Sequence, residues 1–445
     1  MNYLDALKKL RSINQEHLLV HWELLTESER EHLLIQINAL DISTFHLQQQ
    51  LLQIDPQSFT KDLEPYTDYA YAGNMADFNA GRHSIAQGHV GCLLIAGGQG
   101  TRLRFTGPKG LFPITPIKHK TLFQFFAEKV AAAGRQNNRK LPLAIMTSPL
   151  NHEETCRYFA EHQNFGLEAD QLFIFSQNML PFLDKQGNLF FENPGYIAQG
   201  PDGNGFSLKY FVQQGIWKKW QDLGVRYVNY VLIDNALADP FDAELVGFHE
   251  RQLADVTVKC TLRGHVQEKV GVLTKQGNQI KVTEYSELPE IEKKASNPDG
   301  TLKHRCANLS LFCLSMPFIA KAAQHPLPLH LAYKSVNALG KTDEKAWKFE
   351  TFIFDLLPVA QRLAALLYPR ERCFAPLKNY SGEGSPDTVR QALLAQAKMI
   401  MADITKLPPP EHPFELSADF YYPTLELLSK WLGGRISSTQ DYIDF

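Results

Sequence analysis

Long apolar runs are missing from this 445-residue chain. None approaches the ~18 residues of a helical membrane span, and the N-terminal MNYLDALKKLRSINQEH has no signal-peptide core. An excess of one charge sign is missing as well. The formal net charge is -3 with 21% charged residues, so no uniform field favours nucleic acid or an anionic membrane, and any phosphate chemistry must rest on local basic clusters. Paired cysteines are absent too. The six cysteines, Cys92, Cys156, Cys260, Cys306, Cys313 and Cys373, are scattered without a CxxC pair, as expected of small buried residues in a reducing compartment. Fifteen histidines occur without an HExxH, and His17 and His21 fall within a helical pattern, so no zinc site is expected. These absences point to a cytoplasmic protein with no nucleic acid and no membrane as partner; small-molecule partners and a monomer or weak homo-oligomer are the further expectation.

The chain is long enough for about two to three domains of ~150 residues, and three textures divide it. Between about residues 3 and 53, apolar residues recur at helical spacing, and Thr26 with Glu29 has the form of a capping box. Residues 54 to 88 are richer in Pro, Gly and Asp and read as a partly irregular connection. From residue 89, short apolar runs such as VGCLLIA and VNYVLID alternate with helix-like stretches such as TLFQFFAEKVAAAG. That alternation indicates an α/β domain with a mainly parallel sheet. The expected partition is a helical region and linker over 1–88, a catalytic domain over 89–380 and a small C-terminal domain over 381–445.

The stretch LLIAGGQGTRLRFTGPKG, residues 93 to 110, follows a buried-strand pattern with a loop containing Gly97, Gly98 and Gly100. Ligands of open α/β sheets bind at the carboxyl ends of strands, and glycines let backbone N–H groups approach phosphate oxygens. A P-loop would require Ser or Thr after its GK pair, whereas Leu111 follows Lys109-Gly110. A dinucleotide fingerprint lacks its third glycine, whose place Leu103 takes, and AIMTSPL supplies no acidic residue at the end of the next strand. A nucleotidyltransferase loop uses every residue present, with backbone amides on a triphosphate and Arg102 and Lys109 neutralising its charge. A GG turn by itself is common; TRL and PKG beside it are much rarer.

GGQGTRL with PKG resembles the signature of the eukaryotic-type UDP-N-acetylhexosamine pyrophosphorylases and related UDP-sugar pyrophosphorylases. The segments QEHLLVHW, TLFQFFAEK, IMTSPLNHEET, QNMLP, PDGNG, LIDN, VGVL, VTEYSEL, KFETFIFD and FAPLKN follow in the family's order. The resemblance spans residues 15 to about 395 and implies a Rossmann-like nucleotidyltransferase (GT-A-like) domain flanked by smaller N- and C-terminal domains.

The resemblance also implies roles. The backbone of Ala96, Gly97, Gly98 and Gly100 would hold the nucleotide; Gln177 would read uracil; Pro201, Gly203 and Asn204 of PDGNG would lie over uracil and ribose. As bare sequence, PDGNG is a surface turn and Gln177 a solvated amide. Asp234, after VNYVLI, would be the Mg²⁺ ligand, although Asp commonly caps a turn. Gly271, Glu284, placed on a strand, and Asn308 would face the sugar. Lys378 in FAPLKN would join Arg102 and Lys109 on phosphate.

The implied reaction is uridylyl transfer from UTP to N-acetylglucosamine-1-phosphate. The sugar-phosphate oxygen, already anionic, attacks the α-phosphorus in line, so neither a general base nor a covalent intermediate is expected. Glucose-, galactose- or N-acetylgalactosamine-1-phosphate is the alternative acceptor, and a silent sugar-nucleotide sensor the alternative class. Two positions depart from the family. Arg104 stands where relatives carry Gly, either adding a phosphate contact or changing the loop's path by denying a positive φ. Leu311 stands where the family has a second Asn, which bears on the sugar.

Overall fold

The computed structural model describes residues 1–53, 63–277, 279–340, 344–406, 408–434 and 439–444. It resolves into two compact units, each assembled from separated stretches of chain. The first comprises Met1–Lys61, Gln177–Phe206 and Pro326–Phe352; the second comprises Asp62–Ser176, Ser207–His325 and Ile353–Phe445.

In the first unit three helices, α1 (Tyr3–Arg11), α2 (Glu27–Ala39) and α3 (Ile42–Leu51), realise the apolar periodicity of the N-terminal region. The capping box forms as expected: Thr26 Oγ1 accepts from the Glu29 N–H while Glu29 Oε2 accepts from the Thr26 N–H. Leu10, Leu33, Ile37 and Phe45 share a core with Leu183, Leu189, Ile197 and Phe349. Two buried glutamines tie helix to ribbon. The Gln36 side chain both donates to the Ile197 carbonyl and accepts from its N–H, and Gln48 donates to the Pro181 carbonyl.

The second unit is built on a mostly parallel sheet. Along its continuous path the strands are β1 (Ala70–Tyr71), β2 (Val90–Ile95), β3 (Leu143–Thr147), β4 (Leu172–Ser176), β5 (Tyr227–Leu232), β6 (Val256–Leu262), β7 (Cys306–Ser315) and β8 (Leu363–Leu367). In space they run β1-β8-β6-β7-β5-β2-β3-β4. The neighbours β5, β2, β3 and β4 pair in parallel, as do β6, β8 and β1, while β7 lies antiparallel between β6 and β5. Every residue of β2 and β3 is buried, which explains why they read as unbroken apolar runs: a strand covered on both faces has no solvent side to alternate with. Among the described residues no helix is long and apolar enough to cross a membrane.

One expectation fails here. Within the connection assigned to residues 54–88, Met75–Ala86 is a regular helix, α4, capped by the Asn74 side chain; residues 54–62 lie outside the described residues. Helix α4 crosses α5 (Ala243–Gln252) glycine to glycine. A Cβ on Gly81 would stand 1.7 Å from the Ala243 carbonyl oxygen, and one on Gly247 would stand 1.8 Å from that of Asp77. Arg251 seals the crossing with a forked pair to the buried Asp77 carboxylate, at 2.7 and 2.8 Å. Gly81, one of the glycines for which the stretch reads as irregular, is the residue that lets the helices touch. Gly81→Ala or Gly247→Ala should destabilise the protein by at least the ~1–3 kcal/mol typical of core overpacking, read as a lower urea midpoint with unchanged slope.

Candidate active site

The site in the second unit grows from one register. β5 and β2 pair in parallel with Leu232 opposite Ile95, and the Ile233 N–H continues the ladder to the Ile95 carbonyl at 3.0 Å. Their carboxyl ends therefore open side by side, the glycine-rich loop leaving one and Asp234 the other. Two adjacent strand ends make the crevice in which open α/β sheets bind ligands.

The loop is held from beneath by residues that sequence reasoning quoted but did not single out. Asn151, buried in the SPLN turn after β3, donates to the carbonyls of Ala96 and Gly98 at 3.1 and 3.3 Å, and Ser148 Oγ donates to that of Gly97 at 2.8 Å. Backbone bonds from Gly100 N to Gly107 O and from Lys109 N to Gly98 O fold the loop on itself. Its glycines then divide by role. A Cβ at Gly100 would strike Phe105, and one at Gly110 would strike the Phe123 ring, so these serve packing. Gly98 is exposed, with nothing within 4 Å of where a Cβ would lie, so its bare backbone is the open face of the cradle.

Arg104 does adopt the positive φ that a side chain was expected to deny: φ is 56° and ψ 33°, closing the short 3-10 turn Thr101–Leu103. That conformation costs a non-glycine residue about 1–2 kcal/mol.

Asn235, buried directly after Asp234, fastens a distant segment alongside. Its Nδ2 donates to the Cys373 carbonyl at 2.8 Å, its Oδ1 accepts from the Ala375 N–H at 2.9 Å, and the Leu377 N–H donates to the Asp234 carbonyl at 2.7 Å. This delivers Lys378 to the same strand ends. Lys109, 9% exposed, reaches the Leu377 carbonyl through its Nζ at 3.4 Å. Burial lowers the Lys109 pKa, the Asp234 carboxylate pulls it back up, and the Arg102 and Lys378 cations push it down again. The structure thus brings Arg102, Lys109, Lys378 and Asp234 into one electrostatic cluster.

The candidate sugar residues also converge within this unit. The Asn308 N–H donates to the Gly271 carbonyl at 2.9 Å, and a Cβ on Gly271 would stand 2.8 Å from Glu284 Oε1, so that glycine admits the carboxylate. Glu284 is not on a strand as expected. The strand Gln279–Thr283 ends before it, and its carbonyl accepts from the N–H groups of Glu287 and Leu288, opening a turn. The Asn308 amide is turned onto its own strand, donating to Ser310 Oγ and accepting from the Ser310 N–H, at a β-bulge where Ser310 has φ 52°.

The four candidate uridine residues belong to the first unit. The ribbon pairing Met179 with Pro201 sets Gln177 and Asn178 beside PDGNG, and the Asp202 N–H donates to the Asn178 carbonyl. PDGNG is not a free surface turn. Thr351 donates from both its N–H and Oγ1 to the Asp202 carbonyl, at 2.7 and 3.0 Å, and accepts from the Gly205 N–H. Gly203, at φ +91°, lies so close that a Cβ would be 2.3 Å from the Thr351 oxygen. The turn's glycines therefore answer first to Thr351 of KFET.

Among the described residues no group of three or more His, Cys, Asp or Glu side chains could hold a metal ion. A half-buried single carboxylate such as Asp234 fits a different case, a Mg²⁺ that arrives on substrate phosphates and takes only one or two protein carboxylates.

An α/β sheet with a cationic cluster at its strand ends defines a phosphate-handling enzyme, and the comparisons with known proteins narrow the class. Residues 53–407 match the family described as UTP–glucose-1-phosphate uridylyltransferase. The chain is 30% identical over 417 residues to UDP-N-acetylglucosamine diphosphorylase 2 of Arabidopsis thaliana, an alignment covering 87% of this chain and 82% of that one. With the UDP-N-acetylglucosamine pyrophosphorylase of Saccharomyces cerevisiae it shares 29% identity, covering 85% and 87% respectively. In fold it is similar to the crystal structure of the uridine diphosphate N-acetylglucosamine pyrophosphorylase from Trypanosoma brucei in complex with inhibitor, with a TM-score of 0.84, 24% identity, and coverage of 100% of this chain and 98% of that one. The chain belongs to this UDP-sugar pyrophosphorylase family of uridylyltransferases.

Two outcomes follow from this geometry. Asn235→Ala would leave the Cys373 carbonyl and Ala375 N–H buried without partners, at about 1–3 kcal/mol each; both the denaturation midpoint and kcat should fall. Lys109 gives opposite signs for activity and stability. Its proton is lost below the ordinary 10.5, so kcat/KM should decline on an alkaline limb that Lys109→Arg moves upward, because guanidinium does not titrate there. Between that depressed pKa and 10.5 the unfolded chain binds more protons than the folded one. The Lys109 contribution to stability therefore rises with pH over the same window, measurable by urea denaturation across it.

Proposed function

We propose that the protein transfers a uridylyl group from UTP to N-acetylglucosamine-1-phosphate, yielding UDP-N-acetylglucosamine and pyrophosphate. The observation that carries this reading is the cluster of Arg102, Lys378 and Asp234 around Lys109, beside the unobstructed backbone of Gly98, in a chain of the uridylyltransferase family. The sugar follows the names of the similar proteins.

In this reading the exposed backbone at Gly98 and the Arg102 guanidinium receive the triphosphate, while Lys109 and Lys378 face the phosphates that carry charge in the transition state. An oxygen of the sugar phosphate forms the new bond to the α-phosphorus. The bond from that phosphorus to the bridging oxygen breaks, and pyrophosphate leaves with the electron pair. The acceptor is already an anion, so no side chain has to remove a proton. The protein supplies alignment and pre-placed positive charge, which need no reorganisation as the reaction proceeds. Asp234 is the residue suited to hold Mg²⁺, which when bound would offset triphosphate charge. Gln177, Pro201, Gly203 and Asn204 are assigned to uridine, and Gly271, Glu284 and Asn308 to the sugar.

One observation favours a different acceptor with the same chemistry. Asn308 spends its amide on Ser310, and Leu311 lies in the core at 3% exposure, so this strand presents no second amide to an acetamido group. Glucose-1-phosphate is the alternative substrate on that ground. Pyrophosphate release from UTP and Mg²⁺ should therefore be measured with N-acetylglucosamine-, N-acetylgalactosamine-, glucose- and galactose-1-phosphate. Fastest release with N-acetylglucosamine-1-phosphate is expected, with loss on chelation and recovery on added Mg²⁺. Release with glucose-1-phosphate alone would replace the sugar, and none with any would remove the transferase reading. Lys109→Ala should lower turnover at saturating UTP by about 100-fold.

A further inference from the structure

Arg104, two residues beyond Arg102, and Tyr380, two beyond Lys378, lie against each other. The Arg104 guanidinium carbon lies 4.3 Å from the centroid of the Tyr380 ring, well inside the reach of a cation–π contact. Both residues are exposed, Tyr380 by 54%. Burial therefore does not force them together. One closes the short turn of the glycine-rich loop in a left-handed conformation; the other rides on the turn that carries Lys378.

That second turn spans two held ends, residues 373 to 377 and the helix Pro386–Thr405, which buried Ser385 caps and whose Val389 and Leu393 pack in the core. Upstream, Asn235 and the Asp234 carbonyl hold residues 373 to 377 to the strand ends. Between those ends the turn is tied to itself: the N–H groups of Lys378 and Asn379 donate to the Gly384 carbonyl at 2.7 and 3.0 Å, and Asn379 Nδ2 donates to the Glu383 carbonyl. Nothing in that internal bonding aims it at the glycine-rich loop. The Arg104 stack on Tyr380 does.

We propose that Arg104 and Tyr380 form a positioning pair that bridges the glycine-rich loop and the 378–385 turn and so sets Lys378 against the transferring phosphate. The inference rests on the uridylyl-transfer reading for its kinetic consequence but not for its structural one. It accounts for Arg104 at a left-handed position where glycine would sit without strain: the side chain is needed across the gap. It also assigns Arg104 to Tyr380 rather than to phosphate.

The test compares Arg104→Asn, which tolerates the left-handed backbone but removes the cation, with Tyr380→Leu, Tyr380→Phe and the double variant R104N/Y380L. Steady-state kinetics with UTP and the best sugar phosphate is one readout; hydrogen–deuterium exchange of the 378–385 peptide is the other. An exposed cation–π contact corresponds to about two- to fivefold. Arg104→Asn and Tyr380→Leu should each lower kcat by about that factor with the UTP KM nearly unchanged, the double variant should be no worse than either, and Tyr380→Phe should retain full turnover. Exchange in 378–385 should quicken in both single variants. Multiplying losses in the double variant would overturn the pair. So would a raised UTP KM in Arg104→Asn with Tyr380→Leu silent, which would put the guanidinium on phosphate. If the wild-type protein turns over no sugar phosphate, the transferase reading falls, while unchanged or quickened exchange still decides the bridge.

Discussion

The parallel pairing of Val90–Ile95 with Tyr227–Leu232 is the constraint on which the candidate site depends. With Leu232 opposite Ile95, the two chains leave the sheet at the same level, one into the glycine-rich loop and the other into Asp234-Asn235. A slip of one residue would reverse the facing of every side chain beyond it. The register is well specified because the first strand is buried throughout and the second over Val228–Val231, so any shift would carry an apolar surface out of contact. Chemistry at this sheet edge is thus a by-product of core packing.

On that edge the protein places charges that oppose one another. Arg102, Lys109 and Lys378 repel, Lys109 is largely taken out of water, and Asp234 alone among the four offsets them. Such a cluster does not assemble itself. Neutral hydrogen bonds hold it: Asn151 and Ser148 grip the carbonyls beneath the glycine-rich loop, and Asn235 grips the segment that brings Lys378. Uncharged, buried amides lose nothing to the field and keep their geometry whatever the cations do, so the positive charge is already in place when a polyanion arrives.

Much of this was legible in the chain. The alternation of apolar runs with amphipathic stretches announced the α/β sheet, Thr26 and Glu29 announced the start of α2, and the glycines with nearby Arg and Lys marked the loop at which the cations gather. What was missed has a common cause. Helix α4 falls in a stretch read as a partly irregular connection because it is rich in Pro, Gly and Asp, whereas the value of Gly81 there lies in contact with Gly247, far away in sequence. The glycines of PDGNG were not seen to have a packing role as well, since Thr351, which occupies their near side, lies 149 residues from Asp202 in the chain. Asn151 and Asn235 resemble ordinary turn residues, and only their partners distinguish them. Glu284 left its strand because its own carbonyl is used to begin a turn.

By itself the amino-acid sequence determined the local rules: which runs are covered on both faces, where a helix is capped, which turn leaves its backbone bare, and the family to which those motifs belong. These are consequences of residue type and spacing within a few positions. Tertiary structure decided which charges meet, which glycines serve packing and which face open space, and why Arg104 occupies a left-handed position, since its partner Tyr380 lies on another turn. The reason is physical: Coulomb and cation–π energies depend on separation in space, and separations between loops hundreds of residues apart are set by strand register and buried amides, neither of which a linear motif contains.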